Sequence, residues 1–124
     1  MVPEVVAAVP DVVFISGGKS DIRAWDADPN AVIAAINETY SATRAALPDV
    51  RIIAVGPATT ETVTQASIDM NAAVHAAALA VGAEFISLLD PPVLDSSMLA
   101  ADRIHPNTAG YSAIATRIMA SLSP

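Results

Sequence analysis

The sequence predicts an α/β fold, in which a parallel β-sheet is covered by helices on both faces. Two observations carry this. Short runs rich in Val, Ile and Phe occur at Asp11–Ser16, Arg51–Val55 and Glu84–Leu89. They read as strands buried on both faces, as the strands of parallel sheets are. Between them lie alanine-rich segments with helical spacing, and such alternation of strand and helix implies crossover helices on a parallel sheet.

The elements follow in order. Val2–Val9 reads as the end of a short helix, stopped by Pro10. The first strand, Asp11–Ser16, is closed by Gly17-Gly18. Asp28 followed by Pro29 is a cap-plus-first-turn pattern. From there Val32, Ile33, Ile36, Tyr40, Thr43 and Leu47 keep a helical stripe until Pro48. Arg51–Val55 is the second strand, closed by Gly56-Pro57. The next helix runs from about Val63 to Val81, and Gly82 ends it as a left-handed cap. Glu84–Leu89 is the third strand, followed by a loop, Asp90–Ala101, and a last helix over Thr108–Leu122. Ligands of such sheets collect at the carboxyl ends of the strands. Here those ends are Gly17–Asp28, Gly56–Val63 and Asp90–Asn107.

The chain of 124 residues is read as one domain, residues 1–124. Its 53% hydrophobic content suffices for a core, and its net charge is −7. A single Lys and five scattered Arg form no basic stripe, which argues against nucleic acid and anionic membrane as partners. With no cysteine, disulfides and thiol chemistry are excluded. No apolar run reaches the ~20 residues of a membrane span. Met1-Val2-Pro3-Glu4 lacks the basic flank and apolar stretch of a signal peptide, and the compartment stays open. No metal-ligand spacing and no phosphate-binding glycine loop stand out, so no cofactor or metal is expected.

The most specific segment is Ala101-Asp102-Arg103-Ile104-His105-Pro106-Asn107-Thr108-Ala109-Gly110-Tyr111. A carboxylate three residues before a histidine, just ahead of a helix, can turn back to accept the imidazole Nδ1–H. That bond fixes the tautomer and leaves Nε2 as a general base. Pro106 biases His105 away from helical geometry, and Asn107 is placed to cap the last helix. The plainer alternative is a capping pair that only orders its loop. His75 has no partner at useful spacing and reads as structural. Lys19, Arg23 and Trp25 read equally as substrate contacts or as a solvated loop with one anchoring aromatic. Asp90, Asp95, Ser96 and Ser97 read as turn residues.

The Asp102-x-x-His105-Pro106-Asn107 block, followed by Ala109-Gly110-Tyr111, resembles the last conserved block of the SGNH (GDSL-like) hydrolases. The run from Val12 to Gly17-Gly18-Lys19-Ser20-Asp21 resembles the family's Gly-x-Asn-Asp block, whose Asn helps form the oxyanion hole. The resemblance covers nearly all of the chain. It implies a three-layer α/β/α domain with a flavodoxin-like parallel sheet, acting by acyl transfer from a carboxyl ester to water through Ser-His-Asp chemistry. In that scheme His105 is the base and Asp102 its orienter, with Gly18, Ser20 and Asp21 in the oxyanion and substrate loop. The implied substrate is a small acyl ester, such as an acetylated carbohydrate or a short-chain lipid.

Two departures shape the expectation. The family's opening strand with its Gly-Asp-Ser nucleophile, the next helix and the second strand have no counterpart here. The chain is therefore expected to be the C-terminal part of such a domain, its sheet lacking the first two strands. Activity alone is expected to be low, or to need an N-terminal segment. In addition, Ser20 stands where the family has Asn, and losing one oxyanion donor costs about 10²–10³ in rate. Ser20 as a substitute nucleophile is the weaker alternative, because covalent catalysis needs an exposed hydroxyl aligned with its base. A reading of another class is a non-catalytic α/β module used for binding or assembly. Without its neighbours, Asp11–Ser16 is a hydrophobic sheet edge with no charge or proline inside Val12–Ser16. Such an edge invites pairing, so a homo-oligomer or a complementing N-terminal segment is the expected partner.

Overall fold

The computed structural model describes residues 1–59 and 63–122, without the Lys19 side chain. The Gly56–Val63 segment at the sheet edge thus lies partly outside the described residues, as does any contact made by the Lys19 side chain. Helix α1 (Val2–Ala7) leads to strand β1 (Val12–Ser16). Next come α2 (Ile22–Ala27), α3 (Pro29–Ala46), β2 (Arg51–Val55), α4 (Gln65–Ala80), β3 (Glu84–Ile86) and α5 (Thr108–Ser121).

The three strands are parallel in the order β1-β2-β3, with Val12 opposite Arg51 and Ile53 opposite Glu84. Central β2 is covered on both faces, and its residues from Ile52 to Val55 are at most 3% exposed. Successive side chains of a strand point to opposite faces, so Ile52 and Ile53 serve two cores. Ile52 and Ala54 pack with Tyr40 of α3 and with Val74, Ala77 and Ala78 of α4. Ile53 and Val55 pack with Ile86 and Leu88, against Ile114 and Ile118 of α5. Sheet and helices therefore form three layers, α/β/α. The small Ala77 and Ala78 side chains let α4 lie close on the sheet. Among the described residues, no helix is long and apolar enough to cross a membrane.

Three local features differ from the sequence reading. Gly17–Asp28 is not simply a loop: a 3₁₀ turn over Lys19–Asp21 leads into α2, whose Trp25 is buried. With only six residues, α2 is too short to show a hydrophobic period. Helix α4 starts at Gln65, because Thr64 and Ser67 form a reciprocal capping box. Strand β3 ends at Ile86 rather than Leu89. There the Ser87 hydroxyl accepts hydrogen bonds from the amides of Leu89 and Asp90, both at 3.2 Å, and turns the chain out of the ladder. The Asp28 cap holds, accepting from the Ala31 amide at 3.2 Å.

Strands β1 and β3 are the two edges of the sheet, and β1 is the one left open on the α5 face. Phe14 lies beside Ile53 and so shares its face, but α5 covers only the β2 and β3 part of that face. Phe14 is left 52% exposed and Val12 39%.

Candidate active site

The carboxyl ends of the strands carry two loops, one after β1 and one before α5. The second is tightly built. Leu99 and Pro106 pair as an isolated antiparallel bridge, and the Ala100 amide donates to the His105 carbonyl at 2.8 Å. The loop reverses at Arg103, whose φ of +58° is left-handed, a conformation uncommon outside glycine. Its amide donates to the Ala100 carbonyl at 2.9 Å.

That reversal brings Asp102 and His105 together. Asp102 Oδ2 lies 2.6 Å from His105 Nδ1. Oδ1 accepts from the amides of Ile104 at 2.9 Å and His105 at 3.0 Å. Each carboxylate oxygen therefore has its own task, one toward the backbone and one toward the ring. The His105 hydrogen bond, helped by the two amides, holds the Asp102 carboxyl well below the usual carboxylate range. Because its folded-state pKa is depressed, Asp102 contributes stability above its ordinary titration range, and that stability is lost as pH falls toward the folded value. The expected result is an Asp102 carboxyl group still ionised at about pH 3, where a free Asp near 3.9 is largely protonated. Carbon-detected NMR titration checks this, and an ordinary titration midpoint would refute the fixed geometry. The His105 ring is 66% exposed, so Nε2 is open to a reacting group.

Asn107 fastens this loop to the fold. Its Oδ1 accepts from the Gly110 amide at 3.0 Å and caps α5. Its Nδ2 donates to the carbonyls of Ser97 at 3.0 Å and Leu99 at 3.2 Å. Gly110 lets the helix come this close, since a Cβ there would lie 2.8 Å from the Met98 carbonyl oxygen and from Pro106 Cβ. Sequence reasoning gave Asn107 its cap and missed its donors. It also missed Arg117, whose guanidinium donates to the carbonyls of Ser87 at 3.2 Å and Pro91 at 2.9 Å. That contact, which ties α5 to the chain leaving β3, spans 30 residues and leaves no local signal.

The loop after β1 turns at Gly17-Gly18. A Cβ at Gly18 would meet Met70 Sδ at 3.0 Å, and its φ of +107° also favours glycine. Ser20 and Asp21 follow in the 3₁₀ turn, both exposed. Gly17 and Pro106 line one cleft of about 320 Å³ together with Leu94, Tyr111 and Ile114, so the two loops border the same space. Gly18 and Asp21 line a separate cavity on the α3 side. No described hydrogen bond joins Ser20 or Asp21 to His105. Trp25 anchors α2 by burial, and His75 stacks on Phe85 at 4.3 Å, away from both loops. Among the described residues, no three His, Asp or Glu side chains gather as a metal site.

An oriented imidazole with one open nitrogen, beside an apolar cleft, can take a proton from a hydroxyl and return it to a leaving group. The profile of the GDSL-like Lipase/Acylhydrolase family matches residues 2–113. No curated protein sequence matches the chain. The chain is similar in fold to a carbohydrate esterase family 3 enzyme from Talaromyces cellulolyticus, with a TM-score of 0.72 and 23% identity. The match covers 92% of this chain and 57% of that esterase, so the chain spans little more than half of its length.

Proposed function

Because the chain belongs to the GDSL-like lipase/acylhydrolase family, we propose that it carries the acid–base half of a carboxyl-ester hydrolase. The observation that carries this reading is the 2.6 Å bond from Asp102 Oδ2 to His105 Nδ1, with the other carboxylate oxygen held by two amides. In this reading His105 Nε2 removes the proton of an attacking serine hydroxyl and later delivers it to the departing alkoxide. Asp102, ionised throughout, stabilises the imidazolium formed between those steps. In the same reading the Gly18–Asp21 turn supplies the donors to the oxygen that gathers charge, with Ser20 and neighbouring amides in that role. The substrate is a small acyl ester.

The sequence holds no Gly-Asp-Ser, and the reading assigns the nucleophile to a strand that joins the sheet along β1. The open edge and the exposed Val12 and Phe14 support that assignment. Hydrolysis of p-nitrophenyl acetate tests it, using the chain alone and the chain joined to the Gly-Asp-Ser strand and helix of a full-length family member. The expected result is turnover only in the joined protein, and no fluorophosphonate label on the chain alone. A joined protein that melts cooperatively but shows no His105-dependent turnover overturns the reading. A label on Ser20 overturns the nucleophile assignment.

The same open edge favours a second reading, a binding or assembly module that pairs through β1. Either way, the chain is expected to self-associate at micromolar concentration and to elute above its 12.7 kDa. Phe14→Lys, which places a charge on the pairing face, is expected to return it to a monomer. Size-exclusion chromatography decides, and a wild-type monomer would dispose of edge pairing between copies.

A further inference from the structure

Tyr40 is 3% exposed, and no described hydrogen bond reaches its phenol hydroxyl. The hydroxyl is not sealed in the core either. Among the described residues, Asn71 Oδ1 is the side-chain polar atom that is fully occluded without a partner. The Tyr40 oxygen therefore meets open space, and Tyr40 lines a cavity of about 130 Å³ that Ser16 and Gly17 also border. Buried hydroxyls are ordinarily hydrogen-bonded, so an unpaired one beside such a cavity points to an occupant. Burial pushes the Tyr40 pKa up to about 12, so the phenol stays neutral.

The other polar groups of the wall narrow what that occupant is. Asp21 lines the cavity with a carboxylate that no described hydrogen bond engages, and an ionised carboxylate only accepts. Thr39 gives its proton to the Ala35 carbonyl at 2.9 Å, which leaves its oxygen with lone pairs. The wall thus offers one proton, on Tyr40, against lone pairs on all three side chains. Asp21 repels an anion. A neutral alcohol brings one proton to share among them, whereas a primary ammonium brings three and no acceptor to leave unpaired. Ile15, Val55, Met70 and Val74 make the wall otherwise apolar. An engineered cavity of about 150 Å³ holds benzene, so an alkyl body of butyl size fits here. A buried charge is costly unless it is paired. Asp21 pairs it, and also lines the wider groove between α2 and α3, whose Ala24, Ala27 and Ala31 are exposed. The charged head therefore keeps its contact with water.

We propose that this cavity binds a small primary alkylammonium, its head toward Asp21 and the Tyr40 hydroxyl and its alkyl body among Ile15, Val55 and Met70. The site is separate from the cleft on the Pro106 side, although Ser16 and Gly17 border both spaces. The inference goes beyond the hydrolase reading and does not depend on it.

Butylammonium chloride, 1-butanol and propionate, matched in size, test it when titrated into the full chain and followed by amide NMR shifts. Butylammonium is expected to bind at least tenfold more tightly than 1-butanol, because its hydrogen bonds are charge-assisted. Its shifts are expected to centre on Gly17, Gly18 and Val74, and propionate to leave them unmoved. Asp21→Asn, at an exposed position, is expected to bring butylammonium down to the level of 1-butanol. Tyr40→Phe removes only the unpaired hydroxyl. Its melting temperature is expected to stay at or above that of the wild type, while butylammonium binding weakens about threefold to tenfold. His105→Ala, which alters no wall of the cavity, is expected to leave binding unchanged. Equal affinity for the amine and the alcohol overturns the proposal, as does undiminished binding in Asp21→Asn or Tyr40→Phe, or no saturable butylammonium binding at all. Shifts spread over the acidic surface, or loss of binding in His105→Ala, overturn it too, because they place the amine outside this cavity. A clear fall in the Tyr40→Phe melting temperature would show the hydroxyl already satisfied within the fold, and would remove the premise.

Discussion

Asp102→Asn, in a protein supplied with the Gly-Asp-Ser segment, is expected to lower kcat/KM for p-nitrophenyl acetate by about 10²–10⁴-fold, close to the loss from His105→Ala. The reason lies in how the two carboxylate oxygens are used. Oδ1 accepts from the amides of Ile104 and His105, while Oδ2 faces Nδ1. A carboxamide at this position has only one acceptor. The two backbone donors claim it, which turns the NH₂ group toward the ring. Nδ1 must then accept, its proton moves to Nε2, and the nitrogen that should act as base is blocked. The substitution removes the charge that stabilises an imidazolium as well. Nitrogen NMR of His105 is expected to show Nδ1 protonated in the wild type and Nε2 protonated in Asp102→Asn, in a chain that melts normally. Retention of more than a tenth of the activity, or an unchanged tautomer, would mean that Asp102 only orders its loop.

The parts of this site that depend on neighbours in the chain were legible in the sequence. Asp102, His105, Pro106 and Asn107 lie within six residues, and their roles follow from local geometry. The three strands were legible for a similar reason, since a strand covered on both faces must be apolar throughout. Features set by contacts distant in sequence were not. The end of β3 is decided by the Ser87 hydroxyl and by Arg117 reaching back from α5. Helix α2 exists because Trp25 finds a buried place, which six residues of pattern cannot announce. The left-handed turn at Arg103 was hidden as well. It follows from closing the loop between the Leu99–Pro106 bridge, not from a residue that prefers that conformation. The open face of β1 was anticipated as an edge. How far Phe14 is bared depends on where α5 lies, which only the assembled layers reveal.

Asn107→Ala is expected to destabilise the chain by about 2–4 kcal/mol, combining a lost helix cap with two carbonyls left without their donor. Asn107→Asp separates these contributions. Aspartate keeps an oxygen for the Gly110 amide and suits a helix N-terminus, so α5 stays capped. It cannot donate to the carbonyls of Ser97 and Leu99, and its charge repels them. Those carbonyls belong to the Ser96–Met98 3₁₀ turn and to the bridged Leu99, on the limb of the loop that leads to Asp102 and His105, and Asn107 joins that limb to α5. In Asn107→Asp the helix is therefore expected to persist while the loop loosens, shifting His105 relative to the Gly17 side of the cleft. A displacement near 1 Å costs on the order of 10² in rate when a base must meet its nucleophile. The predicted pattern has two parts: a large fall in melting temperature for Asn107→Ala with a smaller one for Asn107→Asp, and a comparable loss of turnover in both. Thermal melts and p-nitrophenyl acetate kinetics on the joined protein separate them. Equal destabilisation with activity preserved in Asn107→Asp would show that Asn107 serves the helix alone, and that the Asp102–His105 loop holds its position without it.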